Sequence, residues 1–224
     1  MRHGNLLILG MKSFYLFFLP LALVGFDIAN AQTDCTLRKD AQGIKVYSCN
    51  VEGSKFKGIK ANFELDANLH QVVSALYDVP SYTKWQYHMI SAKLVNQGVD
   101  ELMYHSEVSA PWPVSNRDMV VRLHFNYDSI AKVLLVNAIG LPSTLPTVPD
   151  VIRIPYFKAR WTIQESTLNK LLVQYELDID VGGSIPAWLM NMAQAEGPFE
   201  TFSKLKEQLK RQQYKRKEYP FLND

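Results

Sequence analysis

The chain has 224 residues, 47% of them hydrophobic, with 24 Lys and Arg against 22 Asp and Glu and a formal net charge of +2. So small a net charge excludes a general nucleic-acid binder, which needs clustered cations to displace phosphate counterions. The apolar fraction is enough for one sizeable core in a single domain.

Residues 1–31 read as a segment to be removed. Met11-Lys12 precedes an apolar run over 14–26 and then Ala29-Asn30-Ala31. A basic start, a short apolar core and a small-x-small ending mark a secretory signal. The run falls short of the ~20 residues that span a bilayer as a helix. The sequence therefore predicts cleavage after Ala31 and a soluble exported product, periplasmic or secreted. A domain over 32–214 and a basic tail over 215–224 follow.

Cys35 and Cys49 flank two strand-like runs, 36–39 and 44–48, around turn residues 40–43. Closing that hairpin symmetrically sets Cys35 opposite Cys49, and export would permit a disulfide between them. Free thiols are the alternative; a redox-active pair lacks the close Cys-x-x-Cys spacing.

The strand pattern continues over 44–50 and 56–65, with a turn at 52–54. Asp66 or Asn68 can cap a helix running to Tyr77, with Leu69, Val72, Val73 and Leu76 on its inner face. Pro80 ends it, and Tyr82 and Trp85 follow as core aromatics closing one end of the domain. Strands are predicted over 89–96, 101–109, 119–127 and 132–138, then over 159–165 and 171–181. The 110–113 run holds two prolines, which lack ladder donors, so it is a turn. Residues 140–149 form an apolar loop rich in Pro, Ser and Thr.

Gly182-Gly183 end the last strand, and Pro186 suits the start of a helix over 186–210. Its apolar residues Trp188, Met192, Ala195, Phe199, Phe202, Leu205 and Leu209 recur at helical spacing. Gly197-Pro198 predicts a bend or break. The basic residues beyond Lys210 predict a fraying end. The whole reads as an α+β fold, an antiparallel sheet curled around a terminal helix.

Alternation sets the faces of the sheet. Leu171, Val173, Tyr175, Leu177, Ile179 and Val181 share one side of their strand, and Met119, Val121, Leu123, Phe125 and Tyr127 share one side of theirs. Leu102, Tyr104, Ser106 and Val108 point inward, as do Trp161 and Ile163; the reverse assignment would bring His105 and Glu107 inside. Arg122 points outward. A solid core and a lined cavity have the same alternation, so this pattern does not separate them.

Several fragments in order resemble the START family of lipid-transfer domains, the steroidogenic-acute-regulatory-related group. These are Leu37-Arg38-Lys39-Asp40, Gly43-Ile44-Lys45-Val46-Tyr47, Phe56-Lys57-Gly58-Ile59-Lys60-Ala61, and Asp78 with Trp85. To them add Pro111-Trp112-Pro113-Val114-Ser115-Asn116-Arg117-Asp118 and Gly182-Gly183-Ser184-Ile185-Pro186-Ala187-Trp188-Leu189. The similarity spans about 35–210, and the signal segment fits the exported bacterial members.

The resemblance implies a helix-grip fold holding one lipid or other hydrophobic small molecule in an apolar cavity. Such a cavity would be lined by Tyr104, Val108, Met119, Leu123, Phe125, Trp161, Tyr175, Leu177, Trp188, Met192, Phe199 and Phe202. The 140–149 loop, through Leu141 and Leu145, and the terminal helix would form its gate. Trp112, Arg117 and Asp118 are read as a structural motif, with Trp112 anchored by burial and Arg117 binding carbonyls or a carboxylate. The charged residues that steroid- and phospholipid-binding members place inside the tunnel have no mapped counterpart here.

His3, His70, His88, His105 and His124 lack close ligand spacing, so no metal is expected. No phosphate loop or nucleophile elbow is present, so no cofactor or catalytic residue is expected. The basic residues from Lys204 to Lys217 suit either a solvated helix end or transient contact with an anionic membrane surface. Two other readings compete: a cyclase- or hydratase-type enzyme using His105 or Glu107, and an interaction protein with a filled core.

Overall fold

The computed structural model describes residues 34–51, 57–167 and 169–222, together with residue 1. It divides into two compact units, Met1–Gln32 and Thr33–Asp224, and every described strand and helix belongs to the second. The expected signal segment, save Met1, and the expected turn at 52–54 lie outside the described residues.

The second unit opens with strands β1 (Cys35–Ala41), β2 (Ile44–Asn50) and β3 (Lys57–Leu65). Helices α1 (Leu69–Tyr77) and α2 (Tyr82–Trp85) come next. Strands β4 (Met89–Gln97), β5 (Glu101–Val108), β6 (Arg117–Asp128), β7 (Val133–Gly140), β8 (Ile152–Arg153), β9 (Tyr156–Thr167) and β10 (Lys170–Asp180) lead to helix α3 (Ala187–Leu209). The strands form one curved sheet in the order β1-β2-β3-β10-β9-β7-β6-β5-β4, antiparallel at each step. Helix α3 lies against β1, β2 and β3 and beside α1 and α2. This is the expected helix-grip architecture.

Local chemistry sets the ends of these elements. The Asn68 side chain accepts from the Gln71 backbone N–H at 3.0 Å, and the Gln71 side chain accepts from that of Asn68 at 3.1 Å. That reciprocal cap starts α1 and selects Asn68 over Asp66. Gly182 and Gly183 both have positive φ, and a Cβ on Gly183 would meet Ile152 at 2.9 Å. The turn from β10 into α3 therefore needs glycine for both backbone and space. Helix α3 continues across Gly197-Pro198 without the break that its proline suggested.

Alternation holds in most strands, with one instructive exception. Arg117, Asp118, Met119, Val120 and Val121 are all buried, although they face alternate sides of β6. The short parallel strand β8 pairs with the edge of β6 that β7 leaves free, and its Arg153 covers the outward Asp118. Sequence reading made 140–149 a loop, assigned no element over 150–158 and missed β8, since two residues carry no periodicity.

The chain end also differs from the fraying expected. Arg211, Lys215, Arg216 and Lys217 are exposed, but Tyr214 and Leu222 are buried. The Tyr214 hydroxyl donates to Asp78 Oδ2 at 2.8 Å and accepts from Gln208 Nε2 at 2.7 Å. Tyr219 lies 5.2 Å from the Tyr77 ring and Phe221 lies 5.9 Å from the Phe125 ring. These aromatics fold the end back over α1 and β6, which charge counting overlooked.

Cys35 and Cys49 form the expected disulfide across β1 and β2. Gln42 and Gly43, both at positive φ, make a two-residue turn suited to the strand twist. That turn alone would set Cys35 opposite Asn50. An irregularity between Leu37 and Lys39 absorbs one residue, so that Cys35 meets Cys49. Replacing both cysteines with Ser is expected to lower the unfolding free energy by roughly 3 kcal/mol on the loop-closure estimate. Denaturant unfolding of the oxidised protein and the double variant measures this, and identical midpoints would contradict it.

Candidate functional site

A partly open pocket of about 250 Å³ lies between the concave face of the sheet and α3. Its origin is a meeting of small side chains. Ala138 on β7 and Ala159 on β9 form part of its wall, and Ala193, Gly197, Pro198 and Thr201 face it from α3. None of these fills the gap between a helix and a curved sheet. Further along α3 the gap closes. Phe202 stacks on Phe63 at 4.3 Å and meets Tyr175 and Trp161 edge-on at 5.2 and 5.4 Å. Beyond that plug, Leu205 and Leu209 join a solid core with Ile44, Val46 and Val72. One end of the domain is therefore filled and the other is hollow, a combination that alternation could not reveal.

Of the residues predicted to line a cavity, the pocket brings together Tyr104, Val108, Met119, Leu123, Trp161, Tyr175, Leu177 and Phe202. Phe125 lies elsewhere, buried against Tyr77 at 4.9 Å. Phe199 is half-buried, with Lys39 Nζ 4.0 Å from its ring centre. Trp188 and Met192 face solvent, 61% and 39% exposed. The helical phase drawn from large apolar residues fits α3 from Phe202 onward but not in its first half. There the inward stripe is Met190, Ala193, Gln194, Gly197 and Thr201. The recurrence of small residues at 193, 197 and 201, four apart, was the signal that size-weighted reading passed over.

Sequence reading also missed Trp85, Ile179 and Val181 as wall residues. Trp85 closes one side from α2, packed at 5.2 Å against Tyr82, which in turn meets Tyr104 at 5.1 Å. Burial pushes the Tyr104 and Tyr175 hydroxyls above the ordinary tyrosine range, and the neighbouring Tyr104 raises Tyr175 further. Both hydroxyls therefore stay protonated at physiological pH. Among the described residues the wall contains no Asp, Glu or His. His105 and Glu107 lie on the other side of β5, where His105 Nε2 sits 2.8 Å from Asp118 Oδ2 and Glu107 accepts from Asn116 at 2.8 Å. The acid–base groups that a cyclase reading would use are thus separated from the pocket by the sheet.

On that outer side, a buried ion pair fastens the apolar loop. Arg153 makes two 2.8 Å bonds to Asp118, through Nε to Oδ1 and Nη2 to Oδ2. Its remaining donors reach the carbonyls of Pro142, Leu145 and Pro146 at 2.6, 3.1 and 3.0 Å. One guanidinium thus ties residues 142–146 to β6. Leu141 is anchored separately, its N–H donating to Val120 O at 2.8 Å. Neither Leu141 nor Leu145 is among the wall residues of the pocket.

Arg117 binds carbonyls as expected, donating to Ser115 O and, at 3.2 Å, to Gly182 O. It joins the start of β6 to the turn that launches α3. Trp112 does not anchor this turn by burial, because it is 93% exposed. The fastening falls instead to Asp118, Arg153 and Arg117. Arg153 carried a weak sequence signal: a lone charge between Ile152 and Ile154.

Comparison with known proteins agrees with this geometry. The START domain family model matches residues 32–215. An uncharacterised protein of Pseudomonas aeruginosa is 30% identical over 189 residues, covering 83% of this chain and 93% of its own. The phosphatidylcholine transfer protein of Bos taurus is 27% identical over 163 residues, covering 70% and 76%. A solved STAR-related lipid transfer protein fragment from Xanthomonas axonopodis is 34% identical, with a TM-score of 0.73 over 79% of this chain and 99% of that one.

Asp118 supplies a test of the fastening. Burial alone would raise its carboxyl, but hydrogen bonds from Arg153 and His105 outweigh that and hold it below its ordinary value of 3.8. A depressed carboxyl contributes stability that is present above the unfolded value and lost as pH falls through the folded one. Asp118→Asn is expected to cost about 3–5 kcal/mol, since it leaves Arg153 buried without its counter-charge. The variant should also show a shallower loss of stability than the parent as pH falls below about 4. Denaturant unfolding across acid pH measures both; parallel curves would remove Asp118 as the pinned group.

Proposed function

Because the chain belongs to the START domain family, we propose that it binds one lipid or other apolar small molecule beneath α3 and carries it without covalent chemistry. The observation that carries this reading is the pocket where small residues of α3 face Ala138 and Ala159. Its wall is largely apolar, so the driving term is removal of apolar ligand surface from water, about 25 cal/mol per Å². Similarity to a phosphatidylcholine transfer protein and to a STAR-related lipid transfer protein supports the same reading.

The gate in this proposal is the first half of α3 working against the 140–149 loop. Pro198 interrupts the helix's hydrogen-bond ladder, and Gly197 has no side chain beside Tyr87. Those residues give α3 a hinge between a packed second half and a first half with an exposed outer face. Leu141 and Leu145 belong to the fastened side, against which the helix opens. Residues 1–31 direct the chain out of the cytoplasm, and the Cys35–Cys49 bond is compatible with an oxidising compartment.

Ligand exchange needs a membrane surface, and two parts of the chain offer one. The basic residues from Lys204 to Lys217 lie on the last turns of α3 and beyond it. Trp188 and Met192 lie on its first half, where Ala193 and Gly197 face the pocket. A helix of this length rises roughly 35 Å, so the basic end stands well away from the pocket. We assign the membrane contact to the tryptophan end, because indole rings favour the membrane interface and the pocket lies there.

The binding reading is tested by Ala193→Trp, which fills the pocket from α3. Uptake of a fluorescent fatty-acyl probe should fall at least tenfold, while Trp188→Ala, on the opposite side of the helix, should leave it within twofold. Equal uptake by parent and Ala193→Trp would reject the pocket as the site. Transfer between vesicles tests gate and contact together. Trp188→Ala is expected to slow it several-fold with binding intact, and Leu141→Asp with Leu145→Asp to slow it as well. Unchanged rates in both would remove those assignments.

A further inference from the structure

The polar groups inside the pocket define a ligand class, and this inference rests on the binding reading above. Tyr104 is 5% exposed and lines the pocket from β5. Tyr175 lines it from β10. Trp85 lends its ring to the wall from α2, but its indole N–H is buried away from the pocket. Among the described residues neither tyrosine hydroxyl has a hydrogen-bond partner, in contrast to that of Tyr214. Three other polar wall groups already have a partner, the first being the Tyr82 hydroxyl, which donates to the Leu76 carbonyl. Thr201 Oγ1 accepts from the Tyr87 N–H at 3.0 Å, and Gln194 Oε1 accepts from Ser48 at 3.5 Å.

Charge is as informative as the donors. Lys57 is the one Lys or Arg in the wall among the described residues; it stands exposed at the start of β3. The interior beside Tyr104 and Tyr175 thus offers O–H donors and no ionic partner. An ionised carboxylate or a phosphate there would lose its hydration without a counter-charge, which isolated donors do not repay. A carbonyl or ester oxygen loses far less and satisfies the donors.

We propose that the ligand is an uncharged lipid whose polar group is an oxygen acceptor, a carbonyl or ester, held by the Tyr104 and Tyr175 hydroxyls. The volume of about 250 Å³ lies just below the roughly 300–1,000 Å³ of drug-sized ligand pockets. It suits one chain or a small ring system better than two acyl chains. Because burial keeps both tyrosines protonated, the preference holds across the physiological pH range.

The experiment titrates the full purified chain with four probes of one chain length, following tryptophan emission. These are a fatty-acid methyl ester, the free acid at about pH 8 where it is ionised, the alkane, and diacyl phosphatidylcholine in vesicles. The ester should bind at least tenfold more tightly than the acid or the phosphatidylcholine. Tyr104→Phe with Tyr175→Phe should weaken ester binding about three- to tenfold, the range for a neutral hydrogen bond, and leave alkane binding unchanged. Tighter binding of the acid or phosphatidylcholine would overturn the inference, as would equal loss of ester and alkane in the double variant. If the alkane binds and the ester binds no better, the ligand class fails and the apolar pocket stands. If none of the four binds, the binding reading itself falls.

Discussion

The structure depends on how side-chain size is distributed along one helix. Helix α3 covers a curved sheet whose facing residues change from large to small along its length. Where Phe202, Leu205 and Leu209 meet Phe63, Val46 and Ile44, the interface is a close-packed core. Where Ala193, Gly197 and Thr201 face Ala138 and Ala159, the same spacing leaves a pocket. A helix held firmly at its filled end can span a void at the other, which a uniformly small-faced helix could not do without losing its anchorage.

The outer side of the sheet carries the polar interactions that the inner side lacks. Asp118, Arg153 and His105 hold the loop after β7, and Arg117 bonds the turn before α3. Breaking such a buried pair would strand a charge, so it resists partial opening. The arrangement separates two tasks. Electrostatics fix the position of the loop and the α3 turn on one face. Mainly apolar contacts define the pocket on the other, and its interior is left without a fixed charge beside Tyr104 and Trp85.

Much of this was legible in the sequence. Period-two alternation in β5, β6 and β10 correctly turned Tyr104, Leu123 and Tyr175 inward, and the order of motifs identified the helix grip. The Cys35–Cys49 pairing was readable, although its register depends on a bulge that hairpin symmetry only imitates. The first half of α3 was misread because hydrophobicity was taken as a guide to facing direction. Trp188 and Met192 are apolar yet exposed, and the inward residues are small or polar. Arg153 and β8 escaped because a two-residue strand has no pattern. Trp112 was misplaced because an indole between prolines resembles an anchor, yet the turn is held by polar bonds instead. A void is the hardest feature to read, since it arises from the pairing of small residues on separate elements.

The most direct measurement is native mass spectrometry of the chain purified without detergent, followed by organic extraction and identification of what it releases. The account predicts a single-ligand adduct of an uncharged lipid, released on denaturation and regained from a lipid mixture. A chain that is consistently free of adduct and takes up nothing from that mixture would contradict it.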